Sequence, residues 1–169
     1  YSLYGVQENG NFGAAVAGFE DLTGDGRAEI EVGAPRAGGD GRGEVLVYNG
    51  RDGSLLRTLQ PPDDVAGFGY SLASAGDVDL DREPDLIVGA PGDDSGTSDP
   101  GSALVYSGKD GALLRVLHGF AAGSRFGNSV AAAGDLDGDA QADVLVGAPL
   151  DSGNGAESGA VTAWSGKDG

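Results

Sequence analysis

Asp77-Val-Asp-Leu-Asp-Arg-Glu-Pro-Asp85 places acidic side chains at positions 1, 3, 5 and 9 of a nine-residue loop. The same loop returns at Asp135-Leu-Asp-Gly-Asp-Ala-Gln-Ala-Asp143 and, in weaker form, at Asp21-Leu-Thr-Gly-Asp-Gly-Arg-Ala-Glu29. Carboxylates this close repel one another and destabilise the loop unless a cation sits among them. A donor set made only of oxygens suits Ca²⁺, a hard ion that takes about six to eight of them.

The flanks repeat as strictly as the loops. Phe12-Gly13, Phe68-Gly69 and Phe126-Gly127 each stand nine residues before the first acidic position. Gly33-Ala-Pro35, Gly89-Ala-Pro91 and Gly147-Ala-Pro149 each stand twelve after it. The units are offset by 56 and then 58 residues, the signature of a repeat architecture. Each unit reads as four strands. The first follows Phe-Gly and alternates small or apolar residues. The second is a short apolar run such as Asp85-Leu-Ile-Val-Gly-Ala90, which suits a strand buried on both faces and stops at a proline. The third is Ser102-Ala-Leu-Val-Tyr106, matched by Glu44-Val-Leu-Val-Tyr48 and Ala160-Val-Thr-Ala-Trp164. An Asp-Gly hairpin signal then leads to the fourth, Ala112-Leu-Leu-Arg-Val-Leu117 or Ser54-Leu-Leu-Arg-Thr-Leu59.

The units are 12–67, 68–125 and 126–169, and residues 1–11 supply a closing outer strand, since Leu3 precedes Phe12 by the distance that Leu117 precedes Phe126. That permutation is how a ring of four-stranded antiparallel sheets shares a strand to close, so the expected fold is an all-β propeller with three blades in this chain. Rings close with roughly 4–8 blades. The favoured expectation is a head-to-tail homodimer that exchanges N-terminal strands into a six-bladed ring. The alternative is an excerpt of a larger propeller, and residue 1 being Tyr, with no leader visible, fits a mature or excised segment.

Composition narrows the function. Gly is the commonest of the 169 residues at 33, and the formal net charge is −17. Such a surface excludes nucleic acid and anionic membranes as partners and favours cations or basic surfaces. No apolar run is long enough to span a bilayer. The chain has no Cys and one His, which removes thiol proteases, zinc thiolate sites and multi-histidine centres. A Ser–His–Asp triad would have to be built around His118, which aligns with Tyr4 and Gln60 and reads as a tolerant surface position. No enzyme is expected. An EF-hand fails as a reading of the loops, because position 12 is Gly33, Gly89 or Gly147 where a bidentate Glu is needed, and the flanks are strands. The remaining alternative is plain Asp-rich turns, against which the triple register argues.

Phe-Gly, the acidic loop and Gly-Ala-Pro, in that order and spacing, resemble the FG-GAP repeats of the integrin α-subunit β-propeller. The short Cys-free units with Ser-Gly-Lys-Asp-Gly turns look more like bacterial integrin-like repeat proteins. The resemblance covers nearly the whole chain and implies a calcium-binding propeller used for adhesion or protein recognition, extracellular or in the cell envelope. It places ligands at loop positions 1, 3, 5 and 9, with the position 7 carbonyl. These are Asp77, Asp79, Asp81 and Asp85 with the carbonyl of Glu83; Asp135, Asp137, Asp139 and Asp143 with that of Gln141; and Asp21, Thr23, Asp25 and Glu29 with that of Arg27. Up to three Ca²⁺ per chain follow. The first site is expected to be the weakest, because Thr23 replaces a carboxylate and Glu29 adds a methylene. Arg82 stands where the family often has Gly.

Antiparallel order puts the acidic loops and the Lys-Asp-Gly turns on one face. The loops at 36–42, 92–100 and 150–158, with those at 7–10, 60–66 and 119–124, share the other and vary in sequence, which suits recognition. A carbohydrate-binding propeller that stacks sugars on Tyr48, Tyr106 or Trp164 is the alternative function. The sequence contains no Arg-Gly-Asp.

Overall fold

A computed structural model describes residues 1–62, 65–92 and 100–169. The recognition loops expected at 60–66 and 92–100 therefore fall partly outside the described residues. The eleven strands are β1 Ala15–Phe19, β2 Glu29–Ala34, β3 Glu44–Tyr48, β4 Leu55–Leu59, β5 Ser71–Gly76, β6 Asp85–Ala90, β7 Ser102–Tyr106, β8 Leu113–His118, β9 Ser129–Gly134, β10 Asp143–Ala148 and β11 Ala160–Trp164. They form sheets β1-β2-β3-β4, β5-β6-β7-β8 and β9-β10-β11, antiparallel throughout. These are three propeller blades, numbered in chain order, the third with three strands. The first strand of each blade begins two residues after the Gly of Phe-Gly, a little later than the sequence pattern suggests. The Phe-Gly pairs form tight turns instead, with Ala14, Tyr70 and Asn128 donating N–H bonds to the carbonyls of Asn11, Gly67 and Arg125.

Alternation of small and large side chains lets blades stack. Leu86, Val88, Leu104 and Tyr106 of blade 2 pack with Phe19, Val45 and Leu59 of blade 1. Ile87, Ala103 and Val105, on the opposite faces of the same strands, pack with Val144, Val146 and Phe126 of blade 3. The central strands β6 and β7 are buried along their whole length, as their unbroken apolar runs require. Phe68 and Phe126 are fully buried between blades, and each opening Phe meets the aromatic that ends the third strand of its own unit edge-on: Phe12–Tyr48, Phe68–Tyr106 and Phe126–Trp164. The Gly of Gly-Ala-Pro is needed for close approach: a Cβ on Gly89 would lie 2.0 Å from the carbonyl oxygen of Gly127 in blade 3.

Polar contacts repeat the same registration. Phe68 and Phe126 donate backbone N–H bonds to the carbonyls of Arg42 and Pro100 at the start of the preceding third strand. Arg57 donates to the carbonyls of Gly108 and Lys109, and Arg115 to those of Gly166 and Lys167, clamping each fourth strand onto the hairpin of the next blade.

Residues 1–5 form no strand. They dock on blade 1 much as the end of β8 docks on blade 3. Leu3 joins the cluster of Val32, Leu46, Tyr48 and Phe12, as Leu117 joins that of Phe126. Gly5 sits against the Cβ of Phe12, as Gly119 sits against that of Phe126. The Tyr1 hydroxyl donates to the Gly50 carbonyl at 3.0 Å, taking the place that the Arg57 and Arg115 guanidinium groups hold on Gly108 and Gly166.

Candidate metal centres

Each acidic loop joins the first two strands of its blade, and the first Asp folds it. Asp21 accepts N–H bonds from Gly24, Asp25 and Gly26; Asp77 accepts them from Asp81 and Arg82; Asp135 accepts them from Gly138, Asp139 and Ala140. These bonds favour the charged form, so the Asp21 and Asp135 carboxyls lie below the usual range, Gly26 and Ala140 being the largest contributors. The position 5 carboxylate caps the residue two places on, as in Asp81 with the Glu83 N–H at 2.9 Å and Asp139 with that of Gln141 at 2.9 Å.

Two loops gather their carboxylates. One oxygen each from Asp77, Asp79 and Asp85 lies within 4.8 Å of the others, and the same holds for Asp135, Asp137 and Asp143. These triads could hold a metal ion, and their all-oxygen composition fits a hard divalent cation. The position 5 groups, Asp81 and Asp139, stand outside the triads and face Lys109 and Lys167 at 3.4 and 3.9 Å. In loop 1, Asp21, Asp25 and Glu29 are not drawn into such a group. There the Asn49 side chain reaches in, donating to Asp25 at 3.1 Å and lying 3.4 Å from the Thr23 hydroxyl.

Position 9 links the loop to the hairpin between the third and fourth strands. Asp85 is fully buried and accepts from the N–H of Val78 at 2.7 Å and of Gly108 at 3.2 Å. Asp143 repeats this with Leu136 at 2.6 Å and Gly166 at 3.0 Å. Burial pushes the Asp85 carboxyl up to about 6; the two N–H bonds oppose the shift, and the charges of Asp79 and Asp81 add to it. A bound cation would reverse the balance by favouring the ionised form. Glu29, also buried, reaches only the Leu22 N–H at 3.2 Å, and its Oε1 has no partner. Asp85 and Asp143, one methylene shorter, each meet a hairpin N–H that Glu29 does not.

Of the position 7 residues, Gln141 turns its side chain away, donating from Nε2 to the Val78 carbonyl at 2.7 Å, while the Ala142 N–H bonds the Asp77 carbonyl at 3.0 Å. Loops 2 and 3 are thereby tied together. Pro84, at the place of Ala142, has no N–H with which to make the same bond to loop 1.

The hairpin donors Gly108 and Gly166, the lysines that face position 5, and Asn49 were not among the residues that sequence reasoning selected. A signal for them existed, since Gly-Lys-Asp-Gly recurs at 108–111 and 166–169 at the same distance beyond position 9. His118 ends β8 exposed, with Nδ1 3.1 Å from the Ser102 hydroxyl.

The FG-GAP repeat family model matches residues 12–48, 68–106 and 126–164. The chain is 40% identical over 126 residues to integrin alpha-8 of Gallus gallus, which covers 68% of this chain and 11% of that one. It is 45% identical over 95 residues to integrin alpha-IIb of Homo sapiens, covering 53% and 9%, and 36% identical over 163 residues to integrin alpha-7 of Rattus norvegicus, covering 89% and 14%. The chain thus spans about a tenth of the length of the curated relatives it matches.

Proposed function

The chain belongs to the FG-GAP repeat family, and we propose that it is a calcium-tied, integrin-like propeller segment used for adhesion or protein recognition outside the cell. The observation that carries the reading is the pair of carboxylate triads, Asp77–Asp79–Asp85 and Asp135–Asp137–Asp143, at equivalent places in two blades. Each would hold one Ca²⁺ and pin the first strand of its blade to the second. Loop 1 would take a third ion more weakly. The relatives are integrin α chains, which supports a binding role over catalysis and a location at the cell surface. Among the described residues no helix is long and apolar enough to cross a membrane.

The test is thermal melting with calcium, with magnesium and with excess chelator. A site filled at ~100 times its dissociation constant adds roughly 2.7 kcal/mol. Calcium should therefore raise the melting temperature by several degrees and magnesium by less, since magnesium demands a tighter octahedral cage. A melt unmoved by chelator would sink the reading.

Ring completion follows the same logic. The docking of residues 1–5 on blade 1 supports a second copy that offers its own residues 1–5 to the open edge of β11. The register of β7 with β8 would set Val161 opposite the partner's Leu3 and Thr162 opposite the partner's Ser2. Light scattering in calcium should then give twice the 16.7 kDa chain mass; a single chain mass would rule the exchange out.

A further inference from the structure

On the face opposite the acidic loops, the three blades enclose a cleft of about 520 Å³ whose rim includes Asn11, Arg36, Gly67, Tyr70, Gly92 and Arg125. We propose that this cleft binds an acidic side chain, an Asp or Glu carboxylate presented on a loop of a partner protein, through Arg36 and Arg125. The proposal rests on the recognition reading above only in taking this face as the binding face.

The cleft is built from equivalent positions that carry different chemistry. Asn11, Gly67 and Arg125 each precede the Phe of their unit and have φ of 56°, 75° and 56°. The tight turn at Phe-Gly imposes this left-handed backbone. Asn and Gly adopt it readily; an arginine does not. Blade 3 thus carries a long cationic side chain where the scaffold favours Gly or Asn, and an outlier of this kind points to a role for the side chain. Arg36 likewise follows the Pro of its unit, where the other units have Gly92 and Leu150, so the fold does not require it either.

Charge makes the pair more telling. The chain has ten Lys and Arg against twenty-seven Asp and Glu. Arg57 and Arg115 clamp blades, Arg42 pairs with Asp40, and Lys109 and Lys167 face the acidic loops. Arg36 and Arg125 are exposed, and among the described residues neither guanidinium has an ion pair or hydrogen bond. Two guanidinium groups on one cleft, unpaired among the described residues, supply the planar donor forks that carboxylates accept. The overall charge of −17 repels polyanions, so the fitting ligand is a single acidic group on an otherwise neutral or basic surface. Tyr70, 45% exposed on the same rim, offers an apolar wall for the rest of the ligand.

The experiment follows the amide NMR spectrum of the calcium-loaded chain as acetyl-Gly-Asp-Gly-amide is added, with acetyl-Gly-Asn-Gly-amide and N-acetylneuraminic acid as comparisons. Shifts at Arg36, Tyr70 and Arg125 with the Asp peptide, absent with the Asn peptide, are expected. Arg125→Gly installs the residue of the second unit and relieves the left-handed strain. It should weaken binding by roughly tenfold, the loss of one charge-assisted contact, while the melting temperature holds or rises. Arg36→Leu, the residue of the third unit, should act alike, and Arg51→Ala on the far face should change nothing. Equal response to both peptides, no response, or full binding by Arg125→Gly would overturn the proposal. Tighter binding of the acidic sugar would overturn the peptide assignment. A chain that melts cooperatively with calcium yet ignores the peptide defeats this proposal and leaves the calcium scaffold intact.

Discussion

Loop 1 carries Gly24 and Gly26 at the two positions where the backbone is left-handed, whereas loop 2 carries Leu80 and Arg82 there, at φ of 65° and 75°. Loop 1 therefore folds at glycines but offers one carboxylate fewer, with Thr23 at position 3 and Glu29 at position 9. Loop 2 has the full set of four aspartates and bears strain of about 1–2 kcal/mol at each of two side chains. Arg82, standing where the family often has Gly, is thus a real backbone outlier, yet the Asp77–Asp79–Asp85 triad assembles around it. The difference teaches that the loop shape is set by the paired strands and by the carboxylates at positions 1 and 9 that collect its N–H groups, rather than by local backbone preference. The two loops then separate what a sequence normally combines: ease of folding in one, donors for a cation in the other.

The largest test of that contrast is truncation of position 9. Asp85→Ala leaves the N–H groups of Val78 and Gly108 buried without an acceptor, at ~1–3 kcal/mol each, and removes a member of the triad. Glu29→Ala strands only the Leu22 N–H and deletes an oxygen that had no partner. Denaturant melts in chelator should show the first variant losing about twice what the second loses. In calcium the gap should widen. Equal losses would mean that position 9 does not organise loop 2.

A second contrast lies one step along the same strands. Glu31 occupies the place that Ile87 holds at the centre of the contact between blades 2 and 3. It is 1% exposed, its Oε2 has no partner, and burial pushes its carboxyl up to about 8. Because the folded value lies above the unfolded one, stability is full below about pH 4 and is lost as pH rises toward 8. The loss reaches up to about 4 kcal/mol, since every tenfold change in proton affinity between the folded and unfolded chain is worth about 1.36 kcal/mol. Glu31→Ile should reduce this slope to the part that Asp85 contributes and raise the melting temperature at pH 8 far more than at pH 4. A parent chain whose melt is flat across that range would show that Glu31 finds a partner.

Much of this was legible in the sequence because each repeat states its constraints three times. The loops and the strand order follow from spacing, and the gathering of three carboxylates in loops 2 and 3 but not in loop 1 follows from their side-chain chemistry. What stayed hidden depends on atoms brought together from distant segments. Tyr1 replacing an arginine on Gly50, Asn49 reaching Asp25, and Gly108 reaching Asp85 join residues 23 to 49 apart, and only the last leaves a trace in the sequence, through the recurring Gly-Lys-Asp-Gly. Glu31 escaped notice for another reason. It interrupts, in Glu29-Ile-Glu-Val-Gly-Ala34, the apolar run that the second strand carries in the other units, and the stacking of blade 2 against blade 1 buries it.

The smallest expected effect tests whether loop 1 can be converted. Glu29→Asp shortens the side chain to that of Asp85 and Asp143. Those residues meet both the loop N–H and the hairpin glycine, and the hairpin of blade 1 has Gly50 in the equivalent place. The substitution should supply the Gly50 N–H with an acceptor and bring the carboxylate toward Asp21. One recovered hydrogen bond to a charged group is worth about 1.5 kcal/mol. Calorimetric titration should therefore show the weakest calcium event tightening by roughly tenfold, with the other events unmoved. Thr23 still withholds a carboxylate, so loop 1 should remain weaker than its neighbours until Thr23→Asp is added. If Glu29→Asp alone brought loop 1 level with them, position 3 would count for little, and the ranking of the three loops would rest on position 9.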